Sequence, residues 1–141
     1  MDLSSRVAVG AVFVWLGMVL AISFLEAPLK FRAPGVTTQL GLGIGRLVFR
    51  ALNFCELVFA IVIAATLFTH DTSTGVSVSI TTAVAALLIQ TVLIRPMLAK
   101  RTASVLAGEE RARSIAHLAY VGFEIVKVAA LISAGIVLLG G

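Results

Sequence analysis

Four side chains that can hold charge or move a proton, His117, Tyr120, Glu124 and Lys127, fall in one line near the C-terminal end of the chain. Their spacings of three, four and three residues bring them within about 80° on a helix that turns about 100° per residue. The segment around them, about 114–139, is otherwise apolar and long enough to cross a bilayer. Ionisable groups in such a segment are costly against lipid, so they must face a protein interior or a wet cavity. A second line runs through Arg46, Arg50, Asn53 and Glu56, at spacings of four, three and three.

Depth decides which of these groups meet. With Leu47 and Ser114 as boundaries, a rise of about 1.5 Å per residue puts Glu56 about 14 Å deep, Glu124 about 15 Å and Lys127 about 20 Å. All three then sit near the middle of a hydrocarbon core of about 30 Å. Gln90 sits at a shallower level with Asn53 and Tyr120. Glu26, Arg50, Arg95 and His117 are expected to ring the mouth of the bundle. Three acids (Glu26, Glu56, Glu124) against three bases (Arg50, Arg95, Lys127) make the neutral interior that burial demands. Two mid-depth acids sharing one lysine leave one acid without a counter-charge, which makes it a natural proton site. The plainer alternative is that Glu56 and Lys127 only fix helix register, while Arg50 and Arg95 snorkel to headgroups.

The elements that must position these groups are four apolar spans, about 7–25, 47–68, 76–93 and 114–139. The chain has 141 residues, 60% of them hydrophobic and 13% charged, with a mean hydropathy of +1.10. A soluble domain needs far more surface charge. The expected fold is therefore all-α, a single polytopic bundle of four transmembrane helices over 1–141. A short surface helix in loop one or three is compatible with this layout. Pro28 and Pro96 sit where a helix is expected to leave the apolar zone. The stretch 70–75 reads as a turn.

Charge orients the spans. Lys30, Arg32, Arg46 and Arg50 flank loop one, and Arg95, Lys100, Arg101, Arg111 and Arg113 flank loop three. Loop two and the C-terminus carry no Lys or Arg, and the N-terminus only Arg6. The positive-inside rule places loops one and three in the cytoplasm and both termini outside, in an inner (cytoplasmic) membrane. Because the basic residues flank apolar spans, the expected partner is an anionic lipid headgroup and not a nucleic acid. A single cysteine, Cys55, permits no intrachain disulfide, and two histidines, His70 and His117, at opposite span ends do not suggest a metal or haem site. No cofactor is expected.

Gly41-Leu42-Gly43-Ile44-Gly45-Arg46 alternates glycine with large apolar residues. It fits neither phosphate-loop nor dinucleotide spacing. It reads as close packing through small residues at the membrane surface, or as a hinge or anion cradle beside Arg46. Further small pairs, Gly17/Ala21, Ala60/Ala64 and Ala130/Ala134, suit helix contact and a homo-oligomer. Pro28 precedes Glu56 by 28 residues and Pro96 precedes Glu124 by 28, the trace of a twofold internal repeat.

Ala27-Pro28-Leu29-Lys30-Phe31, then Gly45-Arg46-Leu47-Val48-Phe49, and His117 opening the fourth span resemble a family of small four-helix membrane proteins of unknown function. That family is bacterial, with related eukaryotic transmembrane proteins. The resemblance implies a four-helix integral membrane protein and no activity. Glu124 and Lys127 lie outside it.

Three functional expectations follow. The first is binding or translocation of a small polar or amphipathic solute coupled to protons, with Glu56, Glu124 and Lys127 at its centre and Arg50, Arg95 and His117 attracting an anionic group. The second is a membrane-embedded enzyme acting on a lipid or quinone, with His117 and Tyr120 as acid and base. The third is an accessory subunit whose polar face pairs with another protein.

Overall fold

The computed structural model describes residues 2–69, 73–94 and 115–140, and every described element is helical. Four helices result, each long and apolar enough to cross a membrane, as a multi-pass membrane protein requires. Helix α1 runs over Leu3–Arg32, α2 over Thr38–Thr69, α3 over Thr74–Ile89 with a continuation Gln90–Ile94, and α4 over Ile115–Gly140.

Local chemistry sets the helix starts. The Asp2 carboxylate accepts from the Ser5 N–H at 2.9 Å and caps α1. The Thr37 hydroxyl accepts from the Leu40 N–H at 3.1 Å, and the Ser73 hydroxyl from the Val76 N–H at 3.3 Å. Between α1 and α2 the chain reverses over Ala33-Pro34-Gly35-Val36. The Val36 N–H donates to the Ala33 carbonyl at 3.2 Å, and Gly35 has φ +83°. Proline and then a left-handed glycine at the two central positions make a type II turn.

Two helices are longer than their hydropathy suggests. Pro28 does not end α1, which continues to Arg32. The turns before it, Leu20–Glu26, are π-helical. A widened turn there eases the clash between the proline ring and the preceding carbonyls. A second π-helical segment covers Gln90–Ile94. Helix α2 begins at Thr38 and not near Leu47, so the glycine-rich stretch is helix and not loop. Gly41 abuts the Phe31 ring, and a Cβ on Gly45 would lie 2.7 Å from Lys30 Nζ. Here absent side chains let α2 lie close to the end of α1, which is the packing reading of that stretch.

Helix α4 packs along both α3 and α1, and α1 along α2, whereas α2 meets α3 only briefly among the described residues. The apolar core fills one half of the bundle: Ala8, Val12, Trp15 and Val19 of α1, Ile63 of α2, Val76, Ile80, Ala83 and Leu87 of α3, and Leu131, Ala134 and Leu138 of α4. Ala60, Ala130 and Ala134 are buried within it, while Gly17 and Ala21 face outward. Large apolar side chains coat the outside, Leu47, Phe54 and Ile61 of α2 among them.

Candidate functional site: a buried lysine shared by two glutamates

At the inner edge of the apolar core all four helices contribute a polar side chain to one cluster. Its centre is Lys127, buried completely. Its Nζ lies 2.5 Å from Glu56 Oε2, 2.6 Å from Glu124 Oε1 and 2.8 Å from Gln90 Oε1. An ammonium has three N–H donors, and these three acceptors use them all. Glu124 and Lys127, three residues apart on α4, share a face. Glu56 reaches across the bundle from α2, and Gln90 comes from α3.

An outer set of bonds holds the acceptors. Trp15 Nε1 donates to Glu56 Oε2 at 2.8 Å, and Ser23 Oγ donates to Glu124 Oε2 at 2.7 Å. Gln90 Nε2 donates to the Tyr120 carbonyl at 3.1 Å, with Glu124 Oε1 at 3.5 Å as a weaker second acceptor. Gln90 therefore accepts from the lysine and donates to α4, which fixes its carboxamide. The Tyr120 ring meets Phe49 edge to face, centroids 5.8 Å apart. With both glutamates ionised, the cluster carries one net negative charge.

Two acceptors in this region have no hydrogen-bond partner among the described residues: Glu56 Oε1 and Asn53 Oδ1. Both residues are buried, Asn53 to 7% exposure and Glu56 to 0%. They lie three residues apart on α2, one turn of the same face. Cys55, next in sequence to Glu56, is half-buried and outside this set. Among the described residues no three His, Cys, Asp or Glu side chains converge as metal ligands would.

The structure gathers Glu56, Glu124, Lys127, Gln90, Asn53 and Tyr120 in one buried region, with a Glu–Lys contact on each side of the lysine. It does not bring Arg50 in. That side chain is exposed, because Arg50 lies about 120° around α2 from Glu56 despite the short steps between them. Glu26 lies 3.7 Å from Lys30, four residues on along α1, and the ring expected of it with Arg95 and His117 falls outside the described side chains. Arg95 falls outside the described residues. The backbone of His117 belongs to α4, and its side chain is likewise outside the description.

Sequence reasoning missed Trp15 and Ser23. The indole N–H of a lone tryptophan in an apolar span must find an acceptor, and this was the available signal for Trp15. Ser23 gave none, since it sits inside a π-helical turn where a 100° step no longer holds.

Fold and site together define an all-helical bundle of four membrane-length helices with a fully enclosed ionic cluster at its heart. No family model, curated protein or solved structure matches the chain.

Proposed function

We propose that this chain is a multi-pass protein of the inner membrane whose central cluster binds or translocates a small polar or amphipathic solute, with a proton as the coupled ion. Both termini lie outside, and the basic loops one and three lie at the cytoplasmic face among anionic headgroups. The apolar coat on the outer helix faces supports insertion into lipid.

The observation that carries the solute reading is one lysine shared by two buried carboxylates. Register alone needs one pair. A second acid leaves a net negative charge in a place where uncompensated charge is costly, so the resting cluster holds one extra proton. Such a group can exchange its proton for another occupant. Both π-helical segments touch the cluster, through Ser23 and Gln90, and π turns recur at functional sites.

Infrared difference spectroscopy of the carboxyl stretch tests the proton. At pH 7 the wild type should show a protonated buried carboxyl that disappears in Glu56→Gln or in Glu124→Gln. Two fully ionised glutamates at that pH would leave a structural ion network and remove the coupled-proton reading.

A further inference from the structure

The donors that bind the two glutamates and Gln90 together are already committed. The three N–H groups of Lys127, the indole N–H of Trp15, the Ser23 hydroxyl and Gln90 Nε2 all have acceptors. Beside them two buried acceptors have no partner among the described residues: Glu56 Oε1, on the carboxylate that shares the lysine, and Asn53 Oδ1 one turn away. A ligand that meets these two atoms must bring donors, and a ligand that satisfies the charge must bring one positive charge. A carboxylate, sulfonate or phosphate meets neither demand.

We propose that the solute is a primary ammonium carrying an apolar tail, and that it and a proton compete for Glu56. This rests on the solute-site reading above and names the class of solute. The ammonium places one N–H on Glu56 Oε1 and a second on Asn53 Oδ1. Its tail leaves between α2 and α3, which meet only briefly. Asn53 retains its small exposure, and Phe54 and Leu57 beside it on α2 are exposed and apolar.

The exchange balances. A protonated Glu56 carboxyl and R–NH3+ give a Glu56 carboxylate paired with R–NH3+, and one proton passes to water. No covalent bond to carbon or nitrogen changes. The groups that face Glu56 set its charge balance: Trp15 from α1, Asn53 from α2, Gln90 from α3 through Lys127, and Glu124 and Lys127 from α4. Of these only Glu124 and Lys127 carry charge, of opposite sign, so the cluster has room for one positive occupant at a time.

Trp15 is the single tryptophan of the chain and donates to Glu56, so its emission reports on this site directly. The full chain in nonionic micelles is titrated with n-octylammonium chloride in weak buffer with a pH-indicator dye. A saturable emission change should come with about one proton released per ammonium bound. Lowering the pH by one unit should weaken apparent binding up to about tenfold, as competition for a single site requires. Asn53→Leu should weaken binding about tenfold yet keep the proton released at saturation. Glu56→Gln should lose both signals while keeping wild-type helicity by circular dichroism.

Saturable ammonium binding with no proton release overturns the competition. Equal affinity in wild type and Asn53→Leu overturns the seat. A saturable response to octanesulfonate or octanol with none to octylammonium overturns the ammonium assignment and leaves the solute site standing. No saturable response to any of the three, with ionised glutamates in the infrared, removes both.

Discussion

Replacing Lys127 tests whether the cluster is an energetic centre of the bundle. Lys127→Met keeps the length of the side chain and removes its charge and three donors. Breaking a buried ion pair by deleting one partner costs about 3–5 kcal/mol in soluble proteins. Inside lipid the unfolded reference state also finds partners, and polar contacts between helices average about 0.6 kcal/mol with a maximum near 1.7 kcal/mol. Three such contacts, at 2.5, 2.6 and 2.8 Å, sum to about 2–5 kcal/mol on that scale. Taking up a proton on an uncompensated glutamate recovers part of this, so we expect a loss of about 3 kcal/mol. Lys127→Ala adds the cavity left by the buried stem and should lose about 1–2 kcal/mol more. The neutral triple variant Glu56→Gln/Glu124→Gln/Lys127→Met keeps the shape without any charge and should return to within about 1 kcal/mol of wild type. Titration of micellar protein with a denaturing detergent, followed by helicity, measures all four. Lys127→Met within about 0.5 kcal/mol of wild type would refute the reasoning, because no buried pair of weight would then exist. A triple variant no more stable than Lys127→Met would show that the loss comes from packing and not from charge.

Trp15→Phe removes the donor to Glu56 Oε2 and should cost about 1–2 kcal/mol. In a double-mutant cycle it should couple to Glu56→Gln by about 1 kcal/mol, and additive losses would mean that the bond carries nothing. Gly43→Ala meets open space and should raise stability by about 0.5–1 kcal/mol through helix propensity. Gly135→Ala should show no such gain, because its Cβ would lie 2.6 Å from the Phe13 ring of α1. A reporter enzyme active only outside the cytoplasm, fused after Gly141, should be active; a silent fusion with a positive cytoplasmic reporter would invert the topology.

Burial cost made the heart of the site legible. Glu56, Glu124 and Lys127 lie in apolar runs at comparable depth, and lipid leaves such groups nowhere to point but inward. Gln90 and Asn53 followed from the same argument. Arg50 misled, because short steps of three and four residues look like a stripe while drifting out of phase with Glu56. The glycine stretch 41–45 read as loop through its composition. It is helix because the close approach to Phe31 and Lys30 rewards the missing side chains. Pro28 read as a helix end, and the π turn that accommodates it has no mark in residue type. Trp15 was hidden by its apolar body, which suits a span as well as leucine does.

The placement of the apolar core has a consequence for traffic through the bundle. Val12, Ile63, Ile80 and Leu131 close the half that holds the start of α1 and the end of α4, and none of them offers a hydrogen bond. In this form the apolar half is a stopper on that side of the enclosed cluster. A solute on the seat proposed at Glu56 would leave by the way it came unless that stopper parted and took up water. On the proposed function, wetting of this one layer would be the event that separates a receptor from a transporter, and it would fall at Val12 and Leu131, which carry no charge.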